Sequence, residues 1–195
     1  MDLSTSSNDP KDGYQIGLTM YEILKKCKKP IICKINGPCL GGGVGLVFTT
    51  DIRITSIHSY FSLTEVKRGL IPAIISLYIV PELGPFKSNY LMLTGDKISA
   101  QEAFKMGFIN YVADPADLDL ITNKYIQSLL ESAPKAMAII KDLVTTIAAE
   151  PSREKHVNKI KTIFENMMVS DEAIYGINCF LQKKKVNWNS LNSKL

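Results

Sequence analysis

The chain has 195 residues, 46% of them hydrophobic and 22% charged, with a formal net charge of +4. That balance fits one globular domain with a sizeable core and argues against a disordered chain or a strongly basic nucleic-acid binder. Four cysteines without a C-x-x-C pair and two histidines give no metal-ligand pattern and read as reduced thiols, and no apolar run approaches the roughly 20 residues of a membrane helix.

Met1 to Asp9 is polar, carries no basic residue, and resembles neither a signal peptide nor a transit peptide. Asp9-Pro10 suits a helix start, and Ile16, Met20, Ile23 or Leu24, and Cys27 recur at helical spacing. An amphipathic helix is therefore predicted over 11–28, stopped by Pro30. Ile31 to Ile35 reads as a strand and Asn36-Gly37-Pro38 as a turn. Gly41-Gly42-Gly43 then leads into an apolar run, Val44 to Phe48, read as a buried helix. Strands are expected at Asp51 to Thr55 and Tyr60 to Leu63, and an apolar helix from Ala73 to Leu83 ending at Gly84. Ser99-Ala100-Gln101-Glu102 fits a capping box, and Gly107 fits the left-handed stop of a short helix. Phe108 to Val112 returns as strand. Helices are predicted over 116–131, 134–148, 152–169 and 171–185. The layout is mixed β and α first, over 1–115, then a helical region of the same domain over 116–195.

The chemistry concentrates where strand, turn, triple glycine and helix succeed one another, Ile31 to Val47. Glycines at a helix start let a ligand atom approach the backbone, where N–H groups are free and the helix dipole is positive. A phosphate-binding P-loop fails, because no Lys-Ser/Thr follows the glycines. A dinucleotide turn is nearer, since Glu65 lies 20 residues after Gly45, but Leu46 and Phe48 stand where a third glycine belongs. An oxyanion hole for a thioester enolate is the third reading. The glycines alone could equally serve tight strand–helix packing, and Glu65 alone could be a solvated acid. The lysine clusters Lys25, Lys26, Lys28, Lys29 and Lys183, Lys184, Lys185 read as solvated faces or as phosphate sites. His58 and His156 read as surface residues.

Pro30-Ile-Ile-Cys-Lys-Ile-Asn36-Gly37-Pro-Cys-Leu-Gly41-Gly42-Gly43, followed by Asp51-Ile52-Arg53, closely resembles the core signature of the enoyl-CoA hydratase/isomerase (crotonase) family. Leu93-Thr94-Gly95-Asp96-Lys97-Ile98-Ser99-Ala100-Gln101-Glu102-Ala103 through Gly107-Phe108-Ile109 is similar to the same family in order and spacing, as is the tail Phe180-Leu-Gln-Lys183-Lys184-Lys185-Val-Asn-Trp188. Phe61-Ser-Leu-Thr-Glu65-Val66-Lys67-Arg68-Gly69-Leu70-Ile71-Pro72-Ala73 resembles most the branch that includes methylglutaconyl-CoA hydratases of leucine breakdown.

The resemblance implies an α/β fold, a crotonase-like (ClpP/crotonase) β-spiral core that is N-terminally truncated, with C-terminal helices for assembly into a homotrimer or hexamer. It implies an acyl-CoA substrate, with coenzyme A entering only as part of that substrate and no other cofactor or metal; the modest net charge and the lack of a membrane-length apolar run argue against a nucleic-acid or a membrane partner. Of the family's two oxyanion donors, one maps onto the Gly42 N–H and the other falls on Met1. Gly41, Gly43, Pro72 and Lys183 map onto further substrate-binding positions, Lys183 onto a CoA-phosphate contact. Of two glutamates that hold water in many relatives, one maps onto Glu65 and the other onto Gly45. Glu65 is thus the expected lone catalytic carboxylate. With Met1 on an oxyanion donor's position, the 195-residue form is expected to be a poor enzyme or an inactive one. The alternatives kept beside a hydratase are a weak or inactive homologue acting as a binding or structural subunit, and an RNA-binding role. The resemblance leaves open a cytoplasmic or a mitochondrial location.

Overall fold

In a computed structural model, residues 10–149 and 151–192 are described; Met1, placed by the resemblance at a substrate oxygen, lies outside them. The chain opens with helix α1 (Pro10–Lys25), strand β1 (Ile32–Ile35), the two-residue strand β2 (Cys39–Leu40) and helix α2 (Gly42–Phe48). Strands β3 (Ile52–Ser56) and β4 (Tyr60–Ser62) follow, then a 3-10 turn (Thr64–Arg68) and helix α3 (Ala73–Thr94). Strand β5 (Ile98–Ser99), helix α4 (Ala100–Met106) and strand β6 (Tyr111–Ala113) complete the β-bearing part. Helices α5 (Leu118–Leu130), α6 (Pro134–Ala149), α7 (Arg153–Met168), α8 (Asp171–Leu181) and the short α9 (Trp188–Asn192) end the chain.

Two three-stranded sheets carry the turns of the spiral. In one, β1 pairs parallel with β3, and β3 parallel with β6. In the other, β2 pairs parallel with β4, in the register Cys39 with Phe61 and Leu40 with Ser62, while β4 pairs antiparallel with β5. Parallel pairing sends both partners out of the same sheet edge. The segments after β2 and β4, which hold the triple glycine and Glu65, therefore emerge side by side.

Packing divides the chain into two units, Met1–Cys27 with Ile31–Lys124, and Lys28–Pro30 with Tyr125–Leu195. The first unit's core joins Val44, Val47 and Phe48 of α2 to Ile75, Ile79 and Leu83 of α3 and to Phe61, Phe108 and Ile109. Arg53 is buried there, forked on Glu82 at 2.7 and 3.0 Å and stacked 4.9 Å from the Phe48 ring centroid. In the second unit, both Glu172 carboxylate oxygens accept the first backbone N–H groups of α6, from Lys135 at 2.8 Å and Ala136 at 2.9 Å. Buried Glu172 thereby satisfies two of the donors a helix start leaves open.

Local chemistry explains most element ends. The Ser99–Glu102 capping box closes reciprocally and Gly107 stops α4 at φ 90°. Three expectations need correction. The first helix presents a different face from the one its apolar spacing suggests. Ile16, Met20 and Ile23 are exposed at 68%, 43% and 66%, whereas Tyr21 is buried at 6%. Gly17 lets Ile74 of α3 come to 3.0 Å from where its Cβ would stand, and Tyr21 packs on Tyr78 with ring centroids 5.6 Å apart. The aromatic stack, not the aliphatic stripe, faces the core. The second correction is at Gly84, which interrupts helicity at φ 72° while the chain re-enters helix at once, with Pro85 able to start a helical turn. Third, His156 is half-buried, its Nε2 enclosed without a hydrogen-bond partner among the described residues.

Candidate active site at the triple glycine

After β2 the chain reaches Gly41 at φ 49° and ψ −121°, a conformation that suits a residue without Cβ. Its N–H donates to Ser62 O of β4 at 3.0 Å, carrying the pairing of β2 and β4 one step past the strands. The Gly41 carbonyl accepts from Val44 N–H at 2.9 Å and from Gly45 N–H at 3.4 Å, which closes the first turn of α2. The Gly42 N–H precedes that ladder and has no protein acceptor among the described residues. Helix α2 has only 7 residues, so its dipole is slight and the N–H itself supplies the polarity.

Glu65 stands in the 3-10 turn that follows β4, half-buried. A Cβ at Gly41 would lie 3.0 Å from Glu65 Oε1, so the carboxylate rests directly on the bare face of that glycine. Glu65 Oε2 is enclosed and has no hydrogen-bond partner among the described residues. A buried carboxylate oxygen left without a donor costs stability and needs a reason outside the fold. The loop that carries it is braced from behind. Ser62 Oγ donates to Gly95 O at 2.8 Å, and a Cβ at Gly95 would lie 3.0 Å from Leu63 O.

Tyr21 of α1 reaches the same glycines from another side. Its hydroxyl donates to Gly42 O at 2.9 Å, and a Cβ at Gly42 would lie 3.0 Å from that oxygen. Burial, and secondarily the negative charge of Glu65, raise the Tyr21 phenol above its ordinary pKa and keep it protonated. On the third side, a Cβ at Gly43 would lie 3.4 Å from Cys39 Sγ, whose pKa burial pushes up to about 12 with help from Cys33. Cys39 is thus a neutral packing group, not a nucleophile.

The sequence-predicted residues Gly41, Gly42, Gly43 and Glu65 therefore come together. Pro72 sits at the start of α3, where its carbonyl accepts from Ser76 N–H at 3.0 Å, and nothing in the geometry places it against the glycines. Lys183 lies in the second unit, exposed, in a left-handed turn at φ 54° just after α8. Sequence spacing missed Tyr21, because it falls outside the apolar stripe read for that helix. Its hydroxyl on the buried face was the available signal. A groove lined by Gln15, Leu18, Thr19, Glu22, Ile23 and Lys26 runs along α1 and includes none of the three glycines. Among the described residues no group of three His, Cys, Asp or Glu side chains is placed to hold a metal ion. No helix among the described residues is long and apolar enough to cross a membrane.

Comparison with known proteins gives the family. The chain is 37% identical over 178 residues to an enoyl-CoA hydratase of Alternaria alternata, covering 90% of this chain and 59% of that protein. It is 29% identical over 164 residues to a carnitinyl-CoA dehydratase of Escherichia coli strain K12, covering 82% of this chain and 63% of that one. It thus spans roughly six-tenths of the length of these curated relatives. A crystal structure of an enoyl-CoA hydratase from Shewanella pealeana superposes with a TM-score of 0.86 at 30% identity, over 92% of this chain and 68% of that one. The family model for enoyl-CoA hydratase/isomerase matches residues 5–191, and with the glycine turn and its facing carboxylate in place, the chain belongs to that family.

Proposed function

We propose that the protein binds an acyl-CoA thioester at the triple glycine and hydrates an enoyl-CoA, with the Gly42 N–H at the thioester oxygen and Glu65 as its acid and base. The observation that carries this reading is the pairing of a free N–H with an unpartnered buried carboxylate oxygen on consecutive glycines. The Gly42 N–H would stabilise negative charge where it develops, at the enolate oxygen. Glu65 would take one proton from water as the water oxygen bonds to the β-carbon. The alkene electron pair then moves through the α-carbon to the thioester oxygen. The neutral Glu65 returns its proton to the α-carbon, and the product is a 3-hydroxyacyl-CoA with the carboxylate regenerated. One carboxylate suffices for this sequence, because the proton it removes is the proton it delivers.

The resemblance around Glu65 favours a branched substrate such as 3-methylglutaconyl-CoA, and the lysines near Lys183 suit CoA phosphates. The second unit keeps large apolar side chains exposed on its helices, among them Val144 at 61%, Phe164 at 57% and Phe180 at 80%, which supports assembly into a homotrimer or hexamer. A second reading, a binding subunit without turnover, is favoured by one observation: Gly45 stands where many relatives carry a second glutamate.

The test is hydration of crotonyl-CoA and 3-methylglutaconyl-CoA by the wild type and by Glu65→Gln. Loss of general acid–base catalysis should lower kcat by about 10²–10⁴-fold with binding retained. Equal turnover by both forms would remove Glu65 from the reaction. Binding without turnover by the wild type would establish the second reading.

A further inference from the structure

The Gly45 position is filled from outside. A Cβ there would lie 3.1 Å from Cε1 of Tyr21 and would collide with the side chain of Ile75. The space that a side chain at Gly45 would enter is therefore occupied in part by the phenol ring. The same ring carries its hydroxyl to Gly42. Tyr21 Oη is thus the second oxygen at the glycine turn, beside Gly42 as Glu65 Oε1 is beside Gly41.

The state of that oxygen is set by its partner. A phenol has one O–H to give and lone pairs to receive. The O–H is committed to the Gly42 carbonyl, and no group among the described residues donates to Tyr21 Oη. What remains toward the glycines is acceptor capacity only. A water between two acceptors must point a hydrogen at each and turn a lone pair elsewhere. Glu65 Oε2 is the other acceptor that lacks a donor.

We propose that Tyr21 is a catalytic residue that replaces the second carboxylate: its hydroxyl oxygen accepts one hydrogen of the attacking water while Glu65 accepts the other. The inference rests on the reading of the triple glycine given above. In the step itself Glu65 takes the proton it holds, the water oxygen bonds to the β-carbon, and the second hydrogen stays on that oxygen as the product hydroxyl. Tyr21 neither gains nor loses a proton. Because the phenol is held neutral by burial and by the nearby carboxylate, it adds no charge that would oppose enolate formation.

Tyr21→Phe keeps the ring against Tyr78 and removes the hydroxyl, both its acceptor capacity and its bond to the Gly42 carbonyl, and the cinnamoyl-CoA arm below separates the two. With crotonyl-CoA it should lower kcat about 10- to 100-fold, the worth of one hydrogen bond to a group whose charge changes in the reaction, with KM unchanged. Placed on Glu65→Gln it should add little, since both groups act on one water. Cinnamoyl-CoA reports the Gly42 N–H separately, because polarisation of a conjugated thioester moves its absorption to longer wavelength. That shift should be the same in the wild type and Tyr21→Phe. Site-specific 3-fluorotyrosine at position 21 keeps the fold and weakens the acceptor, and should give an intermediate kcat.

A kcat within twofold of wild type for Tyr21→Phe overturns the proposal. So does a loss of the cinnamoyl-CoA shift in parallel with kcat, which would make Tyr21 a support for the Gly42 peptide. A wild type that shifts cinnamoyl-CoA but hydrates nothing also overturns it, while leaving Gly42 in place. A wild type that hydrates crotonyl-CoA with no shift, but slows on Tyr21→Phe, sustains Tyr21 and sinks the Gly42 assignment instead.

Discussion

Gly45→Ala tests whether packing excludes a side chain at position 45. Gly45 is buried in α2, and its added Cβ would overlap Cγ2 of Ile75, lie 2.8 Å from Ile75 Cβ and reach 3.1 Å from Tyr21 Cε1. Ile75 is 4% exposed and Tyr21 6%, so neither has free space to move into. Overpacking of this kind costs about 1–3 kcal/mol, against a helix-propensity gain of up to about 1 kcal/mol for alanine over glycine. A net loss of about 1–2 kcal/mol follows. Ile75→Ala alone should cost about 2–5 kcal/mol through the cavity it leaves. In that background the new methyl enters emptied space, and Gly45→Ala should become neutral or stabilising by up to about 1 kcal/mol. The two substitutions should therefore couple favourably by about 2 kcal/mol, or roughly 4–8 °C in Tm for a chain of this size. Urea unfolding of the four proteins, with thermal melting beside it, measures the cycle. Additivity within about 0.5 kcal/mol would show that Ile75 does not police position 45, and the account of a packed-out position would fail with it.

Two further outcomes follow from the fold. Tyr21, Tyr78 and Cys39 all hold their protons more tightly when folded, chiefly through burial, with Cys39 pushed up to about 12 from an ordinary 9.0. Each contributes stability that is full below its unfolded pKa and lost as pH rises toward the folded one, so urea midpoints should fall from about pH 9 upward, and Cys39→Ala should flatten the first part of that fall. At the other end of the chemistry, Ser99→Ala removes the oxygen that accepts Glu102 N–H at 3.2 Å and should cost about 1 kcal/mol, read as a lower urea midpoint with an unchanged slope.

Features that were legible in the sequence are those whose cause lies within a few residues. The strand, turn and glycine run from Ile32 to Phe48 follows from local chemistry, as do the Ser99–Glu102 box and the Gly107 stop. The four long helices from α5 to α8 fall close to their expected spans; α7 and α8 carry their own caps in Ser152 and Ser170, whereas the start of α6 is held by Glu172 from α8. Glu65 against Gly41 was not legible in spacing at all. The pairing of β2 with β4 that joins them is a long-range event between strands of two and three residues, too short to show a period. Only the family resemblance brought the two together. The face of α1 was misread for a related reason: Ile16, Met20 and Ile23 make an apolar stripe, and the partner that decides which stripe is buried lies far along the chain in α3.

The inward face of α1 and the bare position 45 are one structural fact seen from two sides. The face of α1 that turns inward carries Tyr21, and Tyr21 together with Ile75 takes up the room that a side chain at position 45 would need. A glutamate there would have to displace a buried aromatic ring and a buried isoleucine at once. A glycine there lets α1 and α3 close over α2, with Tyr21 stacked on Tyr78 and bonded to the Gly42 carbonyl. The side chains packed on Gly45 include a ring whose neutral hydroxyl reaches the same turn. Position 45 is therefore closed by an arrangement of three elements, and Gly45, Ile75 and Tyr21 should be varied together when the chemistry of the site is tested.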